Sequence, residues 1–359
     1  MKFHQQAVSL IAKDRDSNFE ILRIVLMIMI VFHHYCVNSG LTKMLDLANI
    51  TYNTILIQFM SIGGKTGVNG FFILSGYFMI NRHIQMGKVL KLYFEVWFYN
   101  ITVAIFLQCL GYSLDNATIV HCFIPLLLSF PETFIGAYLF VYLLSPVINT
   151  GANHLDRKKY GYLLSILILY FSILETFLFL NTWNYFGWAV TMYLVGGYIR
   201  LQKNELFKRK WLWFSIVVLC MAVIWISQLI VDFCGKDLGV HHWSYLMTNA
   251  NKFPVFVMAL ALFLFFKNIK IRNSKLINTI AASSFGVLLI HANNNTMRQW
   301  LWKDFFKNTE FYHTNLLWIH MIFSVAVIYV VCTGIDICRI KFIEIPLFSF
   351  FKRKRTAST

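Results

Sequence analysis

The sequence predicts an all-α, polytopic integral membrane protein, with about ten transmembrane helices and both termini cytoplasmic. Three observations lead there. Apolar runs close to the ~20 residues that cross a bilayer recur along the whole chain. Only 13% of residues are charged and 58% are hydrophobic, whereas soluble domains carry about 25% charge. Lysines and arginines also concentrate in alternate connections, as they do when basic loops stay on the cytoplasmic side.

The first span is expected over about 20–38. Between Arg23 and His33 every side chain is apolar, and then His33 and His34 arrive together. A helix advances ~100° and ~1.5 Å per residue. Eleven steps from Arg23 to His34 make three turns plus roughly 20°, with a rise of about 16 Å, so the two share a face. His33 points about 80° away by the same arithmetic. Ionisable groups at that depth are rare and mark function, or else a polar face buried against neighbours.

The second span, about 55–80, is interrupted by GGKTGVNG at 63–70 and is expected as two pieces or a bent helix. Further spans follow at about 92–112, 123–149, 161–180, 185–201, 211–233, 252–268, 277–294 and 315–338. Pro125 and Pro131 sit near the start of the fourth, whose first part is expected along the outer surface. With the N-terminus inside, 24 of the 32 Lys and Arg fall on inner segments and 6 on outer ones. That asymmetry accounts for the net charge of +16 without nucleic acid. KRKR at 352–355 reads as a tail against anionic headgroups. One membrane domain fills 1–359, with its core at about 18–347 and a basic tail at 348–359.

The seven cysteines form no CxxC pair and read as small buried hydrophobes. The first apolar run begins near Ile21 and is too long for a signal-peptide core, so no cleaved leader is expected. No HExxH, GxSxG or Walker loop is present, and His33 and His34 are adjacent, which leaves zinc hydrolysis and serine triads without support.

Several polar residues stand out in the apolar runs. Gly67, Gly70 and Gly76 permit close helix approach, and Ser75 beside them can bond a neighbouring helix or a substrate. Arg82, Lys88 and Lys91 cluster just after that span, either as positive-inside anchors or as a grip on a phosphate-rich cosubstrate. His291 and Asn293 begin a polar patch at the outer end of the ninth span, suited to packing or to a sugar-like substrate. Glu95, Glu132, Glu175, Asp232 and Asp336 lie in or near spans, where their cost demands partners or water.

Four patches in order carry a resemblance: Arg23–x10–His34, GVNGFFILSGY at 67–77, SFGVLLIH at 284–291 and IEIPL at 343–347. Together they resemble the acyltransferase-3 family of integral membrane enzymes that acylate envelope sugars. FIGAYLFVYLLSPVIN at 134–149 is similar to a helix of the short members that modify exopolysaccharide or capsule. Where members often carry Arg-x-x-Arg, this chain has Lys88 and Lys91, which keep the charge but lose the bidentate fork.

The resemblance implies an enzyme with no permanently bound cofactor, taking acyl-CoA, most often acetyl-CoA, as cytoplasmic cosubstrate. The acceptor it implies is a sugar hydroxyl, free or lipid-linked, at a bacterial plasma membrane. His34 is then the general base, the family spacing selecting it over His33, with Arg23 and Ser75 as the other catalytic groups. Arg82, Lys88 and Lys91 would hold the donor, and His291, Asn293 and Tyr77 the acceptor. A flippase for lipid-linked sugars would show two related halves around broken helices, and a polymerase would carry large charged outer loops. The chain shows neither feature.

Overall fold

The computed structural model describes residues 16–46, 49–124, 133–238 and 242–349. Among them the chain is helical throughout, with no strand. The long elements are α1 (Ser17–Val37), α2 (Tyr52–Ser61), α3 (Gly63–Met79), α4 (Met86–Cys109), α5 (Asn116–Phe123), α6 (Phe134–His154) and α7 (Arg157–Phe177). They continue as α8 (Tyr185–Leu201), α9 (Lys210–Leu238), α10 (Phe253–Lys267), α11 (Lys275–Ala282), α12 (Ser284–His291), α13 (Asn295–Phe305) and α14 (Leu317–Arg339).

Each of the ten expected stretches overlaps a helix or helix pair, although residues 125–132 of the fourth lie outside the described residues. By length and apolarity, however, six helices among the described residues can cross a membrane, or seven if α11–α12 and α13, bent by 95°, count as one span. The shortfall has identifiable causes. The second span is broken at Ile62, α8 has only 17 residues and α10 only 15. The N-terminal lysines, Pro125, Pro131, Glu132 and the basic tail lie outside the described residues.

Helix starts follow side-chain chemistry. Asp115, Thr133, Asp156, Asn184, Ser274 and Asn294 each accept a backbone N–H of the first turn that follows. Thr51 and Thr54 form a reciprocal capping box on α2.

Glycine sets the packing at the centre. A Cβ on Gly76 would stand 1.8 Å from the Tyr193 carbonyl oxygen, and one on Gly196 would stand 2.1 Å from that of Ile73. The backbones of α3 and α8 therefore touch, each supplying a glycine to the other. Gly64, Gly67 and Gly70 do the same for α1, receiving His33, Ile30 and Leu26. One apolar core gathers α3, α8 and α10, a second gathers α4, α12 and α14, and α1 contributes to both.

Polar ties join the helix ends in two groups. At one end Ser17 bonds Asn278, Asn18 bonds the Phe266 carbonyl and Asn149 bonds that of Met79. At the other, Asn53 bonds the Tyr312 carbonyl and Asn308 that of Tyr35.

The buried acids find the partners their position demands. Glu175 takes Lys252, Asn251 and Thr182, while Asp232 takes Gln58. Glu95 and Asp336 both reach Arg339. After Arg339 the last helix widens into a π turn, Ile340–Glu344, closed by a bond from the Ile345 N–H to the Ile340 carbonyl.

Candidate active site

A cavity of about 590 Å³ opens between α1, α3, α4, α6, α11, α12 and the end of α14. That volume falls in the range of ligand sites, about 300–1,000 Å³. Its walls bring together Arg23, Ser75, Lys88 and Lys91, four residues singled out from the sequence on three different helices. Lys88, Lys91 and Lys341 are exposed at its edge, and Phe71, Leu74, Phe78, Phe134, Tyr138 and Phe285 make its apolar wall.

Arg23 pairs with Glu20 at 2.7 Å and lies over the Phe78 ring, its side chain 29% exposed. Ser75 Oγ donates to the Phe71 carbonyl one turn back, at 2.8 Å, and stands 3.4 Å from Tyr138 Oη. Lys91 forms an ion pair with Glu344.

Behind Lys91 lies a cluster that sequence reasoning did not assemble. Arg339, nearly fully buried, reaches Asp336 at 2.8 Å, Glu344 at 2.5 Å and Glu95 at 3.0 Å. Tyr99 Oη donates to Asp336 at 2.7 Å, and Arg339 stands over the Tyr99 ring. A buried arginine among three carboxylates is expensive to desolvate and strongly held once formed. The signal was present in the sequence as acids inside apolar runs and as the Glu344–x–Pro346 patch. Only the fold shows that they meet.

The imidazoles sit deeper. His34 Nδ1 and His291 Nε2 are 2.9 Å apart, so helices α1 and α12, 257 residues apart in sequence, meet at their histidines. His33 turns away and bonds the Ser61 carbonyl at 2.8 Å, its ring filling the space over Gly64. Met27 and Ser284 line the cavity, and each lies seven steps before its histidine. Seven steps are about two turns, returning to nearly the same face with a rise of about 10 Å. The cavity and the His34–His291 pair are therefore aligned along two helices, with the buried Ile30, Val31, Val287 and Leu288 in the stretch between them.

Five expected site residues do not line the cavity: His34 and His291, which lie beyond it, and three more. Arg82 is exposed at the end of α3 and does not line it. Tyr77 is packed against Phe19, Phe78 and Phe263, with its hydroxyl accepting from Arg200 at 3.3 Å. Asn293 bonds Asn100 and the Leu289 carbonyl, one residue past α12 and its C-cap Ala292. Among the described residues no group of three or more potential metal ligands comes together.

No curated protein and no solved structure matches the chain. A family model described as an acyltransferase domain, that of the acyltransferase-3 family, matches residues 16–337. The match begins at the cap of α1 and runs into the last turn of α14, taking in both histidines and the cavity helices. With its apolar helices and this coverage, the chain is a multi-pass membrane protein and belongs to the acyltransferase-3 family.

Proposed function

We propose that this protein is a membrane O-acyltransferase, most simply an O-acetyltransferase, using acetyl-CoA or another acyl-CoA from the cytoplasm. Its acceptor is a sugar hydroxyl of a capsule, exopolysaccharide or other envelope polymer, at the bacterial plasma membrane. The observation that carries the reading is the cavity with cations at one end, an apolar wall, and the His34–His291 pair two helical turns further along the same faces. Arg23, Lys88 and Lys91 suit the phosphates of a CoA, and the apolar wall suits its pantetheine arm. The bias of basic residues toward one set of connections supports a cytoplasmic location for that end and for both termini, with ten crossings.

In this reading His34 takes the proton of the acceptor hydroxyl as the oxygen attacks the thioester carbonyl. The new C–O bond forms, the C–S bond breaks, and the CoA thiolate receives the proton from His34. Ser75 and Tyr138 stand on the cavity wall where the thioester would pass. Lys91 would exchange its contact with Glu344 for a donor phosphate.

The test is NMR of surface polysaccharide from a strain lacking this protein. Loss of acyl signals with chain length intact is the expected result. Loss of the polymer from the surface would point to export instead, and shortened chains to polymerisation.

A further inference from the structure

His291 is hydrogen-bonded at both ring nitrogens. Its Nδ1 lies 2.6 Å from the Val287 carbonyl oxygen, and its Nε2 lies 2.9 Å from Nδ1 of His34. A carbonyl oxygen has no proton to give, so His291 Nδ1 carries one and donates it. In a neutral imidazole the other nitrogen is then an acceptor. His291 Nε2 therefore accepts, and the proton between the two rings belongs to His34 Nδ1. This leaves His34 Nε2 as the bare lone pair.

The direction of this chain is set by a helix. Val287 and His291 are one turn apart in α12, so the carbonyl that begins the relay is fixed by the same backbone that carries the ring. His291 is fully buried, and Trp302 stands edge-on to its ring. We infer that His291 is a positioning residue, which fixes the tautomer of His34 so that Nε2 presents its lone pair to the acceptor hydroxyl. The role of that lone pair rests on the acyltransfer reading, while its location on Nε2 does not. Triads that end in a carboxylate orient their histidine in the same way. Here an imidazole held by a main-chain carbonyl takes that place. When Nε2 accepts the hydroxyl proton, Nδ1–H stays donated to His291, and the proton leaves again from Nε2 to the thiolate.

The test is ¹⁵N NMR of the full-length, histidine-labelled protein in lipid nanodiscs without substrate, with His34 assigned by its loss in His34→Gln. The expected spectrum shows His34 protonated at Nδ1 and bare at Nε2. His291→Leu removes the acceptor, so the Nε2-protonated form of His34 should appear and kcat should fall at least about tenfold, with the acyl-CoA KM little changed. His291→Gln, whose Oε1 can accept from His34, should restore the tautomer and most of the rate. Two results overturn the inference: Nε2-protonated His34 in the parent protein, or unchanged tautomer and kcat in His291→Leu. The parent spectrum decides even if the leucine variant does not fold. Because the tautomer is read without turnover, it can stand where acyl transfer fails, and fail where acyl transfer stands.

Discussion

Arg23 and Lys91 face the same cavity, yet each already has a carboxylate partner, Glu20 and Glu344. In the acyltransfer reading each of these cations would exchange its carboxylate for a phosphate of the incoming donor. Such an exchange should appear in donor affinity. Arg23→Ala is expected to raise the KM for acyl-CoA about tenfold with kcat little changed, since a hydrogen bond to a charged group contributes about 1.5–3 kcal/mol. Initial rates across an acyl-CoA series in nanodiscs check it, and an unchanged KM would remove Arg23 from the donor site. The two neighbouring histidines should separate as sharply. His34→Gln is expected to lose about 10²- to 10⁴-fold in rate, the range of general-base catalysis, whereas His33→Gln, whose ring is held by the Ser61 carbonyl, should stay within about tenfold. Equal losses in the two variants would sink the assignment of the base. At this scale the sequence was informative for a physical reason. Helical periodicity by itself turns His33 about 100° away from His34. It cannot show which residue 257 positions away will meet the second ring.

Among the elements, α3 and α8 form the closest contact, and glycine on both sides makes it possible. Gly76→Ala would place a methyl on the Tyr193 carbonyl, where no rotamer can relieve it. The helices must part, and overpacking of this kind costs about 1–3 kcal/mol or more. A lowered midpoint for thermal unfolding in detergent is the expected result. Gly151→Ala serves as the control, because a Cβ there meets nothing within 4 Å. An unchanged midpoint for Gly76→Ala would refute the contact. The glycines of 67–76 were legible as packing residues because small side chains inside an apolar run have few other uses. The break at Ile62 was legible from GGKTG as well. The number of crossings was less so, because an apolar run in sequence carries no record of where a helix bends. The 95° turn between α12 and α13 falls at 292–294, in a polar patch that reads equally well as a loop or a substrate contact.

Across the whole molecule, α4 and the C-terminal end of the fold, more than 240 residues apart, meet at one charge cluster. Glu95 comes from α4, Asp336 and Arg339 from α14, and Glu344 from beyond it. Only Asp336–Arg339, three steps apart on one helix, is local enough to be read from periodicity, although each acid in an apolar run announced that it needed a partner. The pair Arg339–Glu344 is the most informative, since five steps along an ordinary α-helix would leave the two side chains about 140° apart. The π turn at 340–344 brings them to one face, just before Pro346, which has no N–H to continue the regular ladder. In terms of chain length, the π turn behaves as a single inserted residue that the helix has absorbed. Four steps, the spacing that would remain without it, also bring two side chains together. Removing the exposed Phe342 should therefore leave a folded protein with the Arg339 cluster and acyl transfer retained. Removing Val331, also exposed and eight residues before Arg339, should rotate Asp336 and Arg339 away from Tyr99 and Glu95 and abolish both. Size-exclusion profiles and turnover of the two deletions decide it, and equal damage from both would show that the turn is not an insertion. A membrane helix is ordinarily a poor place to gain or lose a residue, and this one holds its spare residue at the wall of the cavity.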